Sequence, residues 1–170
     1  MGNTVLRCRQ PPKGSKVVPD VDQLQIDGFA VVWAGVLVGQ RIVLHCDDNP
    51  DEALLLQRAL QRSGLADWVV ESVGSGPEAL ERLKRAQRGE VPMPDLLALD
   101  IRMPKMDGFE VLERLTFNRL KIPPVMLTTS DDVKDRLRAK DMGSRGYFVK
   151  SPTYADFIGL LKNWDSSPLG

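Results

Sequence analysis

Residues 94–112 read PDLLALDIRMPKMDGFEVL, and this stretch decides the predicted fold. A run of apolar residues ends at Asp100, a short segment with Pro104 follows, and an amphipathic helical pattern begins near Gly108. A short apolar run that is bounded by turn residues and followed by helical periodicity predicts a buried strand leading into a helix. An acid that ends such a run has no structural need to be there, so Asp100 is a candidate functional residue.

The same strand–helix unit recurs along the chain from residue 41 onward. The strand-like runs are RIVLHC (41–46), WVVESV (68–73), DLLALD (95–100), PVMLTTS (124–130) and GYFVK (146–150). The helix-like runs are EALLLQRALQRSG (52–64), PEALERLKRAQRG (77–89), GFEVLERLTFN (108–118), DDVKDRLRAKDMG (131–143) and TYADFIGLLKNW (153–164). Strands that are apolar on both faces and joined by helices predict an α/β fold, with a doubly wound five-stranded parallel sheet and five helices.

The composition excludes several classes of function. The 170 residues include 23 basic and 23 acidic side chains, so the chain lacks the basic excess of a nucleic-acid-binding protein and we expect no nucleic acid partner. Two cysteines and a single histidine, His45, are too few for a disulfide framework or a zinc site. Any chemistry must therefore come from carboxylates, hydroxyls and lysines.

The first forty residues are predicted to form a separate segment. Residues 1–40 have the composition of an N-terminal arm or linker, or of a leader translated from a start codon placed too far upstream. Nine of the twelve residues in GFAVVWAGVLVG (28–39) are apolar, whereas a membrane-spanning helix needs about 20. This run predicts an added strand, a helix on the domain surface or part of a leader. We expect no membrane span and a cytoplasmic protein.

Chemically distinctive residues follow four of the five strand-like runs. Asp47 and Asp48 follow the first run, Asp100 ends the third, Thr128 lies in the fourth and Lys150 ends the fifth. The carboxyl ends of parallel strands meet at one edge of a sheet, so these side chains should converge there. Three carboxylates repel one another unless a cation lies among them, and oxygen ligands at this density suit Mg²⁺. The set predicts a site that receives a phosphoryl group on Asp100.

Four segments resemble the marker segments of response-regulator receiver domains: HCDDNPDEALLL (45–56), residues 94–112, PVMLTTS (124–130) and GYFVKSPT (146–153). The resemblance covers about residues 41–164. It implies a flavodoxin-like sheet with the strand order 2-1-3-4-5, a receiver domain over residues 41–165 and a tail over 166–170. The NPDE and LTTS segments and Trp164 look most like single-domain, chemotaxis-protein-like regulators, in particular those that partner phytochrome-type sensor kinases.

The resemblance also implies a role for each site residue. The implied Mg²⁺ ligands are Asp47, Asp48, Asp100 and the backbone carbonyl of Arg102. The implied phosphoacceptor is Asp100, assisted by Lys150 and Thr128, and the implied switch residues are Thr128 and Tyr147.

As a member of this family, the chain would act in two-component signalling. It would take its phosphoryl group from a sensor histidine kinase or a histidine phosphotransfer protein, and it would signal by protein contact without an output domain. It would not be an enzyme beyond its own phosphotransfer and slow dephosphorylation. The implied output surface is residues 131–164, which could also form a homodimer.

Two departures from the family pattern carry their own expectations. Ser151 follows the lysine where receivers usually have a proline in a cis peptide bond, and a cis bond before a non-proline residue costs about 3 kcal/mol. Lys150 could therefore approach the site differently. His45 and Cys46 replace the usual aliphatic residues, and we expect both in or near the core.

Two alternative functions remain open from the sequence. The first is a docking module that resembles a receiver but is not phosphorylated, and Ser151 is the one feature in its favour. The second is a phosphohydrolase of the haloacid-dehalogenase type, which uses an aspartate nucleophile with Mg²⁺. That family has a second aspartate two positions after the nucleophile, whereas this chain has Arg102.

Overall fold

The computed structural model describes residues 40–164 and two short strands before them. The chain divides into two compact units, residues 1–38 and 39–170. In the first unit, β1 (Val32–Trp33) pairs antiparallel with β2 (Val36–Leu37). These residues belong to the apolar run 28–39, and they pair with each other as strands rather than forming a helix. The rest of the predicted arm and the predicted tail lie outside the described residues.

The second unit contains a parallel sheet of five strands. They are β3 (Arg41–Cys46), β4 (Trp68–Val73), β5 (Leu96–Leu99), β6 (Pro124–Thr128) and β7 (Tyr147–Val149). Their spatial order is β4-β3-β5-β6-β7, which is 2-1-3-4-5 when counted from β3. In the central register, Val43 of β3 pairs with Val70 on one side and with Leu96 on the other. The predicted sheet and its order are confirmed.

Five helices connect and follow these strands. They are α1 (Pro50–Arg62), α2 (Gly76–Gln87), α3 (Gly108–Phe117), α4 (Val133–Asp141) and α5 (Ala155–Lys162). Asn49 caps α1 by accepting a hydrogen bond from the Asp51 backbone, and Pro50 occupies the first turn. Asp107 and Glu110 form a reciprocal capping box at the start of α3. These caps fix where α1 and α3 begin relative to the strand ends before them.

The core lies on both faces of the sheet, because successive strand residues point to opposite sides. Leu44 and Cys46 belong to the cluster under α2 and α3, whereas Val43 belongs to the cluster under α1 and α5. In the second cluster, the buried ring of Trp68 meets Trp164 edge to face with 6.3 Å between ring centroids. Among the residues described, no helix is both long enough and apolar enough to cross a membrane.

Candidate functional site

An ammonium group and two carboxylates from three strand ends meet at the carboxyl edge of the sheet. Asp47 directly follows β3, Asp100 directly follows β5 and Lys150 directly follows β7. Lys150 Nζ donates a hydrogen bond to Asp47 Oδ2 and lies 3.3 Å from Asp100 Oδ2. Each of the three side chains is less than a tenth exposed, at 8%, 1% and 9% for Lys150, Asp47 and Asp100.

The two carboxylates keep Lys150 charged despite its burial. Burial lowers the pKa of Lys150, but the hydrogen bond to Asp47 and the charges of Asp100 and Asp47 outweigh that effect. The net result is a raised pKa, because an opposite charge within a few ångströms favours the charged form. Lys150 is thus a fixed positive charge between two acids at neutral pH.

A third carboxylate completes an acidic cluster that opens to solvent. Asp47, Asp48 and Asp100 can each offer one oxygen atom, and these oxygens lie within 4.8 Å of one another. Asp48 is exposed whereas Asp47 and Asp100 are buried, so the cluster has a solvent-facing side. Oxygen ligands from carboxylates are those that Mg²⁺ prefers, and three acids against one ammonium leave the cluster net negative. The residues present therefore fit a hard divalent cation.

Backbone hydrogen bonds hold the two buried acids in place. Asp47 Oδ1 accepts a hydrogen bond from the Asn49 backbone at 2.9 Å, and Asp100 Oδ1 accepts one from the Ile101 backbone at 2.7 Å. The Asp100 N–H in turn donates to the Cys46 carbonyl at 3.0 Å, which extends the pairing between β3 and β5 into the site. Both carboxylates are therefore oriented by backbone groups of the loops that directly follow β3 and β5.

The loop that carries Asp100 returns very close to it at Gly108. The Gly108 N–H donates to the Ile101 carbonyl at 3.0 Å. A Cβ atom at this position would lie 2.3 Å from the Asp100 carbonyl oxygen, which is too close for two atoms that are not bonded to each other. Glycine is required here because α3 begins directly against the backbone of Asp100.

Thr128 is the last residue of β6 and Tyr147 is the first residue of the neighbouring strand β7, and the two are linked through Ser130. Thr128 is fully buried, and its Oγ1 accepts a hydrogen bond from the Ser130 backbone at 3.3 Å. The Tyr147 hydroxyl donates to the Ser130 carbonyl at 3.0 Å. Burial raises the pKa of Tyr147, although the hydrogen bond to Ser130 acts in the opposite direction. The Thr128 carbonyl also accepts a hydrogen bond from the Lys150 backbone at 2.7 Å, and Tyr147 lies in β7, the strand that leads to Lys150.

Two of the sequence expectations concern residues beside the main cluster. Arg102 is exposed two positions after Asp100. Throughout residues 40–164 the peptide bonds are trans, including the bond between Lys150 and Ser151. Lys150 nevertheless contacts both Asp47 and Asp100, so the missing proline does not keep the lysine away from the acids.

His45 and Cys46 are both fully buried, which confirms their predicted place in the core. Burial raises the pKa of the Cys46 thiol to about 12, and its Sγ lies 3.4 Å from the Met103 sulfur. His45 Nε2 lies 3.5 Å from Asp47 Oδ2. Burial lowers the pKa of His45, while the charge of Asp47 opposes that change. The histidine is therefore a neutral group that packs beside an acid of the site.

Three side chains that contact Tyr147 or connect the helices beside the site were not among the predicted site residues. Arg136 lies over the Tyr147 ring at 4.7 Å, and the Tyr154 hydroxyl donates to Glu52. Glu52 and Tyr154 are 102 positions apart in the sequence. A contact between residues so far apart leaves no periodic signal, so pattern analysis could not have found it.

Residues 43–162 match a known protein family. A model described as the response regulator receiver domain matches residues 43–162. The chain belongs to this receiver family. A curated relative, the probable methanogenesis regulatory protein FilR2 of Methanothrix harundinacea, is 36% identical over 136 residues, covering 75% of this chain and 87% of that protein. The PhoP regulator of alkaline phosphatase synthesis in Bacillus subtilis is 35% identical over 108 residues, and the receiver matches 41% of its length and 64% of this chain.

Solved structures give the same assignment. The phosphorylated cyanobacterial phytochrome response regulator RcpA is 31% identical with a TM-score of 0.59, over 73% of this chain and 90% of that one. The Mn²⁺-bound form of response regulator Rcp1 is 27% identical with a TM-score of 0.63, over 76% and 97% of the two chains. The resemblance of this receiver to single-domain regulators, including phytochrome partners, is thereby confirmed.

Proposed function

We propose that this receiver domain accepts a phosphoryl group from a phosphohistidine onto Asp100. The phosphohistidine belongs to a sensor histidine kinase or a histidine phosphotransfer protein. The observation that carries the proposal is the cluster of Asp47, Asp48, Asp100 and Lys150 at the carboxyl edge of the sheet. A nucleophilic carboxylate beside a fixed ammonium and an acidic cation site suits phosphoryl transfer, in which positioning and charge neutralisation supply most of the catalysis.

The transfer replaces one bond to phosphorus with another. An oxygen of Asp100 forms the new O–P bond while the P–N bond of the phosphohistidine breaks. The electron pair of the broken bond stays on the imidazole nitrogen of the donor, which then takes a proton from solvent. Lys150, 3.3 Å from Asp100 Oδ2, neutralises the negative oxygens of the transferred phosphoryl group. The Thr128 hydroxyl donates a hydrogen bond to one of those phosphoryl oxygens.

Asp47, Asp48, Asp100 and the backbone carbonyl of Arg102 would hold Mg²⁺ in this site. The cation supplies positive charge that offsets the charge of the phosphoryl oxygens. The three carboxylate oxygens within 4.8 Å of one another support this assignment, as does the Mn²⁺ bound by the similar regulator Rcp1. Asp48 is exposed, so the cation and the phosphoryl donor can enter from the same side.

The donor protein has an apolar place to bind beside the site. Leu54 and Leu55 of α1 are 50% and 47% exposed, and α1 begins directly after the loop of Asp47 and Asp48. Large apolar side chains that stay exposed next to a functional loop favour a protein contact there. The likeness to the phytochrome regulator RcpA supports a phytochrome-type kinase as the donor.

The signal leaves through residues 131–164, by contact with a downstream protein or by formation of a homodimer. A groove between α4 and β7 is lined by the cationic residues Arg136, Lys140 and Arg145 together with Leu137 and Tyr147. Its charge suits an acidic partner. Because Tyr147 lines this groove and is linked through Ser130 to Thr128, a change at the phosphoryl group can reach the partner surface.

We assign residues 41–165 to the receiver, residues 1–40 to an arm, linker or leader, and residues 166–170 to a tail, in a protein of the cytoplasm. In this role the chain is a phosphoacceptor that catalyses only its own phosphotransfer and slow dephosphorylation.

The direct test is the intact mass of the protein after incubation with acetyl phosphate and Mg²⁺. We expect a gain of one phosphoryl group, which disappears when Mg²⁺ is removed and in Asp100→Asn. Asp67→Asn is a matched control, because Asp67 is an exposed acid at the opposite end of the strands. Labelling of Asp100→Asn at the parental rate would overturn the assignment of the site.

The same mass measurement distinguishes phosphoryl transfer to Asp100 from the two alternative functions, the docking module and the phosphohydrolase. A docking module that resembles a receiver would take no label from acetyl phosphate or from a phosphohistidine protein. A phosphohydrolase would turn over acetyl phosphate continuously, but the position of its general acid is occupied here by the exposed Arg102. The contacts of Lys150 with Asp47 and Asp100 argue against the docking module, because they keep intact the arrangement that phosphoryl transfer requires.

A further inference from the structure

The side chain of Tyr154 makes a contact that connects two helices behind the site. Tyr154 is 3% exposed, and its hydroxyl donates a hydrogen bond to Glu52 Oε2. Glu52 lies in the first turn of α1 and Tyr154 immediately precedes α5. The contact therefore connects the helix that follows the Asp47–Asp48 loop with the helix that follows the Lys150 loop.

The backbone of Tyr154 is in an unfavourable conformation. Its φ of 50° and ψ of 30° lie in the left-handed region, which a residue with a bulky side chain rarely adopts. Tyr154 precedes α5 without making a side-chain hydrogen bond to the helix, so capping does not explain the conformation. Such strain persists only where the surroundings hold the residue in place.

The loop between Lys150 and Tyr154 is held at both ends. At one end, the Lys150 backbone N–H donates to the Thr128 carbonyl at 2.7 Å. At the other end, the Tyr154 N–H donates to the Ser151 carbonyl at 3.1 Å, and the hydroxyl holds Glu52. The Lys150 side chain leaves this loop at its first residue, so a shift of the loop would displace the ammonium relative to Asp47 and Asp100, and a small displacement is costly in phosphoryl transfer.

The apolar part of Tyr154 does not need the hydroxyl. The ring packs in the core cluster with residues such as Val43 and Phe157, and a phenylalanine ring would fill the same space. A buried hydroxyl needs a hydrogen-bonding partner, and the Tyr154 hydroxyl has one in the carboxylate of Glu52 on α1. The negative charge of Glu52 also favours the charged form of Lys150.

We propose that Glu52 and Tyr154 are positioning residues that hold the β7–α5 loop so that Lys150 faces both Asp47 and Asp100. Tyr154 ends the same loop in which receivers usually have a proline directly after the lysine, whereas this chain has Ser151. The inference rests on the proposed phosphoryl transfer, because positioning of Lys150 matters to that reaction.

The test compares phosphorylation rate constants at saturating acetyl phosphate and Mg²⁺. Tyr154→Phe keeps the ring and removes the hydroxyl, and we expect its rate constant to fall by about three- to tenfold, the typical effect of one hydrogen bond. The apparent Mg²⁺ affinity should not weaken, since Asp47, Asp48 and Asp100 are unchanged. In a Lys150→Ala background the same substitution should have no further effect, because residues that act through one group are not additive.

Matched variants separate positioning from a general loss of stability. Glu52→Gln retains an oxygen that can accept from Tyr154 and should keep more activity than Glu52→Ala. Asn163→Ala removes the hydrogen bond from Asn163 to the Gly159 carbonyl at the opposite end of α5, and its rate should match the parent. If Tyr154→Phe does not fold, as judged by circular dichroism, the two Glu52 variants decide the question.

Each result has a defined meaning. Unchanged rates in Tyr154→Phe and Glu52→Ala, with a normally labelled parent, would overturn the positioning role alone. A loss of the same size in the Lys150→Ala background would also overturn it, because the pair would then act independently of the lysine. A parent protein that takes no label would overturn the proposed function and this inference with it.

Discussion

The two halves of the site edge are packed to very different extents. The acidic half consists of the loops after β3 and β5 and the helices that follow them, α1 and α3. In this half α1 buries three residues and α3 buries five. The switch half consists of the loop after β6, helix α4 and strand β7. Of the nine residues of α4 only Ala139 is buried, and Val133 and Leu137 are 67% and 58% exposed.

This difference suits the roles proposed for the two halves. The acids are held by backbone hydrogen bonds and by close packing such as that of Gly108 on Asp100, so they are arranged before any ligand arrives. In the switch half α4 has a single buried residue, Ala139, and its contacts include exposed polar ones such as that of Arg136 with Asp131. Elements with few buried contacts change conformation at low cost, so a phosphoryl group on Asp100 should move α4 rather than α1.

The largest expected difference is between two leucine-to-alanine substitutions, one in each half. Leu56 of α1 is fully buried, and Leu56→Ala should lower the free energy of unfolding by about 2–5 kcal/mol, because it leaves a cavity. Leu137→Ala on α4 should change it by less than about 0.5 kcal/mol, because that side chain is already exposed. Urea denaturation of both variants measures this. Losses of similar size would show that α4 is packed as tightly as α1.

A glycine substitution tests the packing of the acidic half directly. Gly108→Ala should cost about 1–3 kcal/mol, since its Cβ would meet the Asp100 carbonyl at 2.3 Å and the loop must shift. Phosphorylation should slow as well, because the loop carries Asp100. Gly159→Ala is the control: it lies within α5 with nothing within 4 Å, and it should stabilise by about 0.5–1 kcal/mol. An equally stable Gly108→Ala would contradict the close approach.

The pH dependence of stability reports on His45, the single histidine of the chain. Because burial lowers its folded-state pKa, only the unfolded chain takes up a proton as the pH falls through the ordinary value of about 6.5. Stability should therefore be complete above that pH and fall below it, by about 1 kcal/mol for each pH unit until the folded state also protonates.

The comparison with His45→Leu isolates this effect. Denaturation without added Mg²⁺ should show a shallower loss of stability for the variant between about pH 7.5 and 5.5. Identical slopes in the two proteins would mean that the histidine gains a proton in the folded state as easily as in the unfolded chain.

The smallest expected effect concerns the contact between Arg136 and Tyr147, the residue proposed as a switch. Arg136 lies over the Tyr147 ring, donates to the Tyr147 carbonyl at 3.2 Å and pairs with Asp131 at 2.9 Å. Because these groups are exposed, Arg136→Met should cost only about 0.5–1 kcal/mol. Hydrogen exchange should nevertheless quicken over residues 129–147 and stay constant over residues 50–62. Arg114→Met on the exposed face of α3 is the control and should leave both segments unchanged.

Local sequence patterns were enough to define the elements of the receiver. Strand and helix signals depend on residues within one or two turns of each other, so the five strands and five helices were predicted correctly from the apolar and helical runs. Asp47, Asp48, Asp100, Thr128 and Lys150 followed from the same reasoning, because residues at the carboxyl ends of buried strands lie at one edge of a parallel sheet. The candidates Arg102 and Tyr147 came from the family resemblance. The strand order required the family resemblance, since periodicity does not say which strands are neighbours.

Only the tertiary structure decided how those residues are supported. The contact between Glu52 and Tyr154, the link from Thr128 to Tyr147 through Ser130, and the approach of His45 to Asp47 depend on packing between separate elements. Because Ser151 replaces the usual proline, the sequence left open how Lys150 approaches the site. In the structure the bond after Lys150 is trans, and the lysine contacts both Asp47 and Asp100. The sequence determined which groups reach the edge of the sheet, because that depends on local pattern. The tertiary structure determined which groups hold them there, because contacts between distant elements leave no local pattern.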